Sequence, residues 1–481
     1  MSVVGKRLAT DIKNTLNMKN IFTLLALMVA IAASADFRTI ELDDNVDVRE
    51  ILKTDTMTLD SLKVKGYLNH HNLYFISWMT NRKLEYIDLS ECTLQNNEIP
   101  NEGLNPTIFV YNTTTGLYYS QLKEVKFPAT LKSIGDWAMA ATRLEKIDIP
   151  ESVDYIGAGA FHSCKHLTGA VNLPEGLTTI APGLLYYCPY VESVSLPSTT
   201  EVIGSDALGG LIFLHEINMP SGLREIGVQG CSGWYDFYGD IVMPATLEKM
   251  DYFAFRCSRL NSLKFEADSK LKVIPNEAFR SSYIKELSLP DHLETISSYA
   301  FSDCRFTEVE FPSTLTKISE WAFGQCDYLN MIVLNENLKQ IGNYAFGYCP
   351  NLTDVYVKAT ITPEICKSTF DNPELMKLYV PVGAREAYAA AEYWKDFGEI
   401  VEVKEFPSAG REAVIAASEA VRAFGAFGAT VIEGDGCGYT IYAADGRMVA
   451  AGTANGRTEV ALPRGIYIVD TAGGAHRIAV R

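Results

Sequence analysis

Basic charge is scarce in this sequence. Against 59 Asp and Glu its 481 residues set 42 Lys and Arg, a formal net charge of −17. A charge this acidic argues against a nucleic-acid partner, because phosphate backbones require a basic face. Catalytic signatures are missing too, with no G-x-S-x-G elbow and no H-E-x-x-H pair. Paired carboxylates such as Glu308 and Glu310 fall on the solvated side of an expected strand, where no burial raises a pKa. Gly434-Asp435-Gly436-Cys437-Gly438 does not stand between a strand and a helix as a phosphate loop must, and reads as a turn. His70-His71 and His162-Ser163-Cys164-Lys165-His166 hold metal-ligating residue types, but residues two away from Cys164 point away from it or sit in a turn. No enzyme activity, cofactor or metal site is expected.

Long apolar runs are also absent. Residues 21–33 are apolar but shorter than the roughly 20 residues a membrane span needs. They follow Lys19 and precede Ala33-Ser34-Ala35, the layout of a cleaved signal peptide. Residues 1–35, with Met18 as an alternative start, are expected to be removed on export. They carry a net +3 (Lys6, Arg7, Lys13 and Lys19 against Asp11), so the remainder carries −17 − 3 = −20. No Cys adjoins the cleavage site, so no lipid anchor is expected there, and no transmembrane helix remains in the mature chain.

One pattern is abundant. Over residues 122–349 the motif L-x-x-[IV]-x-[LF]-P-x-x-L-x-x-I recurs, with Ala-Phe four and five residues past the final Ile and Cys eight past it. Pro128, Pro150, Pro174, Pro197, Pro220, Pro244, Pro290 and Pro312 fall at steps of 22, 24, 23, 23, 24, 46 and 22. Glu266 takes the proline slot inside the double step, and Asn335 takes it 23 residues past Pro312. A fixed period of this size implies a solenoid, each turn burying its apolar face against the next. In Glu124-Val125-Lys126-Phe127 the period-two alternation reads as a half-buried strand, and Pro128, lacking an N–H, ends it. Ala at positions such as Ala300 lets backbones approach, and Phe301 fills the space between turns. Leu184-Leu185, Ala207-Leu208, and Cys231 with Trp234 depart from the pattern without changing its apolar character.

These residues resemble the BspA-like leucine-rich repeats of surface proteins from Bacteroidetes, related bacteria and some protists, over roughly residues 84–400. The resemblance implies an α/β repeat solenoid, a right-handed leucine-rich-repeat superhelix with a parallel concave sheet. Residues 36–83 read as its N-terminal cap, 84–360 as repeats with a loop projecting over 96–115, and 361–403 as a C-terminal cap closed by Tyr388, Trp394 and Phe397. A connector over 404–429 leads to a small all-β, sandwich-like domain over 430–481, where Asp445-Gly446 and Asn455-Gly456 signal hairpins. Its motifs Ile441-Tyr442-Ala443-Ala444-Asp445-Gly446-Arg447 and Leu462-Pro463-Arg464-Gly465-Ile466-Tyr467 resemble the C-terminal sorting domains of type IX secretion, which implies delivery to the outer membrane surface or release.

Ten cysteines in an exported chain raise the possibility of disulfides. Cys304, Cys326 and Cys349 occupy one slot in three successive turns and cannot all pair, so a ladder of buried free thiols is expected. The concave strand row remains as the candidate surface. Its outward residues turn acidic toward the C-terminus, where Glu286, Glu308 and Glu310 with Asp354 are expected to repel one another and, with Tyr356, to meet a cationic patch on a partner. The resemblance implies adhesion to a host or bacterial surface protein, and a monomer is expected. A structural spacer and a glycan-binding accessory protein are the alternatives.

Overall fold

The computed structural model of the chain describes residues 37–105, 120–407, 422–426, 429–443, 447–462, 465–471 and 474–480. The expected signal peptide and residues 106–115 of the expected loop lie outside these residues. Apart from Phe265–Asp268, which group with the second, two compact units divide after Pro407.

The first unit is a stack of turns, each contributing two short strands to parallel ladders. One row of strands includes Glu286–Leu287, Glu308–Glu310, Met331–Leu334, Asp354–Val357, Lys377–Pro381 and Glu399–Val403; the other runs from Glu98–Ile99 to Gln340–Ile341. Every described strand pairing in this unit is parallel, as in Glu308 with Met331 and Ile318 with Ile341. The first row already begins at Phe37–Leu42, pairing with Ser61–Leu68 and then Tyr86–Leu94, so the segment read as a cap carries the same ladder. Between the two rows the chain reverses on the proline slot, where the carbonyls of Pro128, Pro220, Pro290 and Pro312 accept from the amides three residues on. Asn335 performs a related task, donating through Nδ2 to Pro312 O at 2.7 Å and Leu315 O at 3.0 Å.

The Ala-Phe segments form a further row that is neither strand nor helix. The residue before Ala and the residue two past Phe both adopt positive φ, for example Tyr299 (58°) with Asp303 (60°) and Trp321 (57°) with Gln325 (63°). This backbone aims alternate amides along the stack: Tyr299, Phe301 and Asp303 donate to the carbonyls of Glu320, Ala322 and Gly324 at 3.1, 2.8 and 3.0 Å. The left-handed residues also interrupt any helical run. Among the described residues the α-helices are therefore confined to the ends of the unit, at Val48–Leu52, His70–Thr80 and Arg385–Ala390.

Behind this row the core is ordered by slot. Phe255, Phe279, Phe301, Phe323, Phe346 and Phe370 stack at centroid spacings of 5.3–5.4 Å with interplanar angles of 4–19°. Such pairs contribute about 0.5–1.5 kcal/mol each beyond burial. The stack ends where Phe370 meets Trp394 and Phe397, and Trp394 Nε1 donates to Pro363 O at 2.8 Å.

The cysteine slot has a role that its apolar reading missed. Cys188, Cys304, Cys326 and Cys349 are buried free thiols whose Sγ atoms donate to the carbonyls of Phe161, Phe279, Phe301 and Phe323 at 3.1–3.4 Å. Ser282 Oγ does the same to Phe255 O at 2.6 Å, and Trp234 Nε1 to Leu208 O at 2.9 Å. Most turns place a donor in this slot; Leu211, buried and apolar, is the exception. Trp234 fills the volume that Cys231 leaves in the Phe slot.

The C-terminal unit is a five-stranded antiparallel sheet, Arg422–Ala426, Ala429–Ala443, Met448–Ala461, Gly465–Thr471 and Gly474–Val480. Ile441, Leu462, Tyr467 and Val469 are buried together in it. Two expected turns are corrected. Gly434–Gly438 lies inside a long strand, and Asn455-Gly456 pairs opposite Asp435 and Gly434 rather than turning, with a bulge between Asp435 and Cys437. Facing glycines tolerate that irregularity, so a turn-like composition marks a bulged strand here. The strand Arg422–Ala426 also falls within the segment read as a connector, and the expected turn at Asp445-Gly446 lies outside the described residues.

The thiol slot yields a test. Cys326→Ser keeps a donor and should hold stability within about 1 kcal/mol, whereas Cys326→Val strands the Phe301 carbonyl and should cost about 1–3 kcal/mol in urea unfolding. Burial pushes the Cys304 thiol up to about 12, so alkylation of the native protein should reach the half-buried Cys257 and Cys366 first. Titration of the unfolded, unreduced chain should find most of the ten thiols free; fewer than four contradicts the ladder.

Candidate functional site

The outward side chains of the first strand row lie where alternation places them, because the inward ones are held by the stacked core. Val125, Val309, Ile332 and Val355 are buried, which turns Glu124, Glu308, Met331 and Asp354 away from it. Val333 is the exception. Strand alternation places it outward beside Glu310 and Tyr356, yet it is 0% exposed, because Lys358 Nζ reaches across its strand to Glu310 at 2.8 Å and Tyr356 stands beside it in register.

That ion pair revises the expected electrostatics. Glu286–Leu287 and Glu308–Glu310 belong to separate hydrogen-bonded sheets, and Glu308 faces Met331 rather than another acid. Glu286 lies 3.5 Å from Lys264 Nζ. Asp354 accepts from Thr353 Oγ1 at 2.6 Å and from Tyr379 OH at 3.0 Å. The acids therefore form no column of uncompensated like charge. Lysines from neighbouring turns thread among them, as Lys146 does at Glu124 (3.4 Å) and Lys377 at Glu399 (3.4 Å). Pairs this exposed contribute at most about 1 kcal/mol each, so they keep the row soluble and ordered without locking it.

Tyr356 stacks on Tyr379 with centroids 4.2 Å apart and planes 8° apart. Burial, and then the bond to Asp354, push the Tyr379 phenol up to about 12. The two rings and Asp354 make a small fixed patch at the C-terminal end of the row, where sequence alone marked only Tyr356 and Asp354.

The histidines are occupied structurally. His162 sits between Trp137 (5.0 Å) and Tyr186 (5.2 Å), and burial lowers its pKa. Cys164 Sγ donates to Met139 O at 3.2 Å. His70 lies 3.2 Å from Glu98 and His71 3.7 Å from Asp47. Among the described residues no group of three or more His, Cys, Asp or Glu side chains is placed to hold a metal, and no helix is long and apolar enough to cross a membrane.

A second constellation escaped the sequence reading. Tyr238, Arg259, Tyr283, Arg305 and Tyr328 recur at steps of 21, 24, 22 and 23, two or three residues ahead of successive first-row strands. Arg259 lies over the rings of Tyr238 (5.5 Å) and Tyr283 (5.4 Å), and Arg305 over Tyr283 (4.0 Å) and Tyr328 (5.9 Å). The repeat period was the signal that could have revealed it, had it been applied to positions outside the apolar motif.

A stack of short parallel turns with buried aromatic and thiol slots defines a leucine-rich-repeat type of solenoid. The family model described as "BspA type Leucine rich repeat region (6 copies)" matches residues 89–207, 178–282 and 272–390, together 302 of the 481 residues. The chain belongs to this family. Among solved structures it is similar to a leucine-rich repeat protein from Bacteroides ovatus, at 21% identity over 76% of this chain and 92% of that one, with a TM-score of 0.48. It is also similar to the pneumococcal vaccine antigen PcpA, at 18% identity over 67% and 80%, with a TM-score of 0.39. A leucine rich cell surface protein from Faecalibacterium prausnitzii matches at 21% identity over 67% and 84%, with a TM-score of 0.34. No curated protein gives a significant match.

Proposed function

We propose that the chain is an exported, non-catalytic surface protein that holds a macromolecular partner, a host or bacterial surface protein, along its first strand row. The observation that carries this reading is the repeated presentation of half-exposed polar side chains on ladders whose backbone groups are already hydrogen-bonded from turn to turn. Such extended surfaces are what repeat proteins use for recognition. The apolar run and Ala-x-Ala site near the start of the sequence support export. Glu286, Glu308, Glu310, Asp354 and Tyr356 are the residues assigned to the contact.

The test replaces Glu286, Glu308 and Glu310 with Gln and measures binding to a partner isolated by pull-down with the full chain. Association should slow several-fold at low salt and lose part of its salt dependence. Stability should fall by no more than about 2 kcal/mol, from loss of the two pairs with Lys264 and Lys358. Unchanged binding at low salt places the contact elsewhere or leaves the array a spacer.

We also propose that the C-terminal sheet is a sorting unit for type IX secretion, a reading supported by its sequence motifs and by its own small core. Because Arg422–Ala426 pairs within that sheet, the deletion to make is residues 408–481. The truncated chain should keep the thermal transition of its repeats, since each turn contacts only its neighbours. It should also accumulate in the periplasm of a host with that pathway. Equal surface display with and without the tail refutes the sorting role.

A further inference from the structure

The row of Tyr238, Arg259, Tyr283, Arg305 and Tyr328 is separate from the residues assigned above, and its chemistry is opposite to that of the chain as a whole. In a protein of net charge −17, Arg259 and Arg305 lie within ion-pair distance of no carboxylate among the described residues. Of the other arginines on the turns, Arg256 and Arg280 reach Glu277 at 3.6 and 3.0 Å, Arg224 reaches Glu201 at 3.8 Å, and Arg143 donates to Gln121 Oε1 at 2.9 Å. Arg259 Nη1 donates to the Tyr238 hydroxyl, and Arg305 is exposed. The outer rings, Tyr238 and Tyr328, are 59% and 54% exposed.

Stacking gives this arrangement its use. A guanidinium lying over a phenol ring is held in orientation, and the in-plane N–H groups not taken by the stack remain free to donate as a fork to a carboxylate. Arg259 and Arg305 are two turns apart, about 10 Å at roughly 4.8 Å per step, with Tyr283 between them. We propose that this row binds a linear acidic polysaccharide, carboxylates of alternate sugars meeting Arg259 and Arg305 and sugar hydroxyls meeting the phenols.

A polysaccharide fits better than an acidic polypeptide for two reasons. The amides of Arg259 and Arg305 already donate to the preceding turn, to Trp234 O at 3.0 Å and Ile284 O at 2.9 Å, so they are not available to an added strand. The row also offers phenol hydroxyls between the charges, which match hydroxylated rings separating carboxylates.

The test measures retention of the full chain on immobilised polygalacturonate, neutral dextran and polyglutamate at low and high salt. Wild type should be retained on polygalacturonate, more weakly as salt rises, and not on dextran. Arg259→Gln with Arg305→Gln should weaken retention at least tenfold with an unchanged near-ultraviolet circular dichroism spectrum. Arg259→Lys with Arg305→Lys keeps the charge but loses the planar fork, and should weaken retention at least threefold; this variant decides the matter if the Gln pair does not fold. The strand-row Gln variants should leave retention unchanged or raise it, which separates this row from the protein-binding reading. No retention of wild type on polygalacturonate, equal retention on polyglutamate, or equal retention of both arginine variants overturns the proposal.

Discussion

Turn-to-turn backbone hydrogen bonding is the constraint on which the rest of the solenoid depends. Two rows of it are ordinary parallel ladders. The third, through the Ala-Phe segments, requires left-handed backbone twice per turn, and many of the residues that adopt it are bulky: Trp137, Phe253, Tyr299, Trp321 and Tyr344 all have φ between 52° and 64°. Each such residue costs of the order of 1–3 kcal/mol. The gain is that alternate amides meet carbonyls of the next turn, where leaving them buried and unpaired would cost about as much apiece.

Because this row fixes the spacing, the side chains behind it are chosen by slot. Phe is stacked at the repeat distance, and Ala admits the neighbouring backbone. Cys, Ser or Trp supplies a donor to the carbonyl that the stacked rings leave uncovered. Side chains in front of the ladders carry no such duty. They can become lysines interleaved with acids on one line and arginines interleaved with tyrosines on another, and the two lines differ in the partner chemistry they suit.

How far the sequence discloses this depends on whether a feature lies in the apolar period. The proline ladder, the alternation around Val125 and the Ala-Phe pairs all do, and they carried the repeat architecture. The ion pairs do not. Lys358 meets Glu310 from two turns away, a distance in sequence that no local pattern encodes, so an acidic row read in isolation looked unpaired. The donor role of the cysteines was visible in principle, since Ser258 and Ser282 share their slot, but a buried thiol is so often mere filler that the substitution went unread. In the C-terminal sheet the glycines pointed to turns, while the pairing of Gly434 with Gly456 made one bulged strand of them. Outward position alone does not encode what a side chain touches, so the pairing of Glu286 with Lys264 was not legible either.

The most direct test of the account is hydrogen exchange, by mass spectrometry, over the peptide spanning residues 297–304. If Tyr299, Phe301 and Asp303 donate their amides to the next turn, this segment, though neither helix nor strand, exchanges as slowly as the strand Met331–Leu334, and Phe301→Ala speeds both. Exchange at the rate of an exposed turn would contradict the account, because the stack would then rest on its two ladders alone.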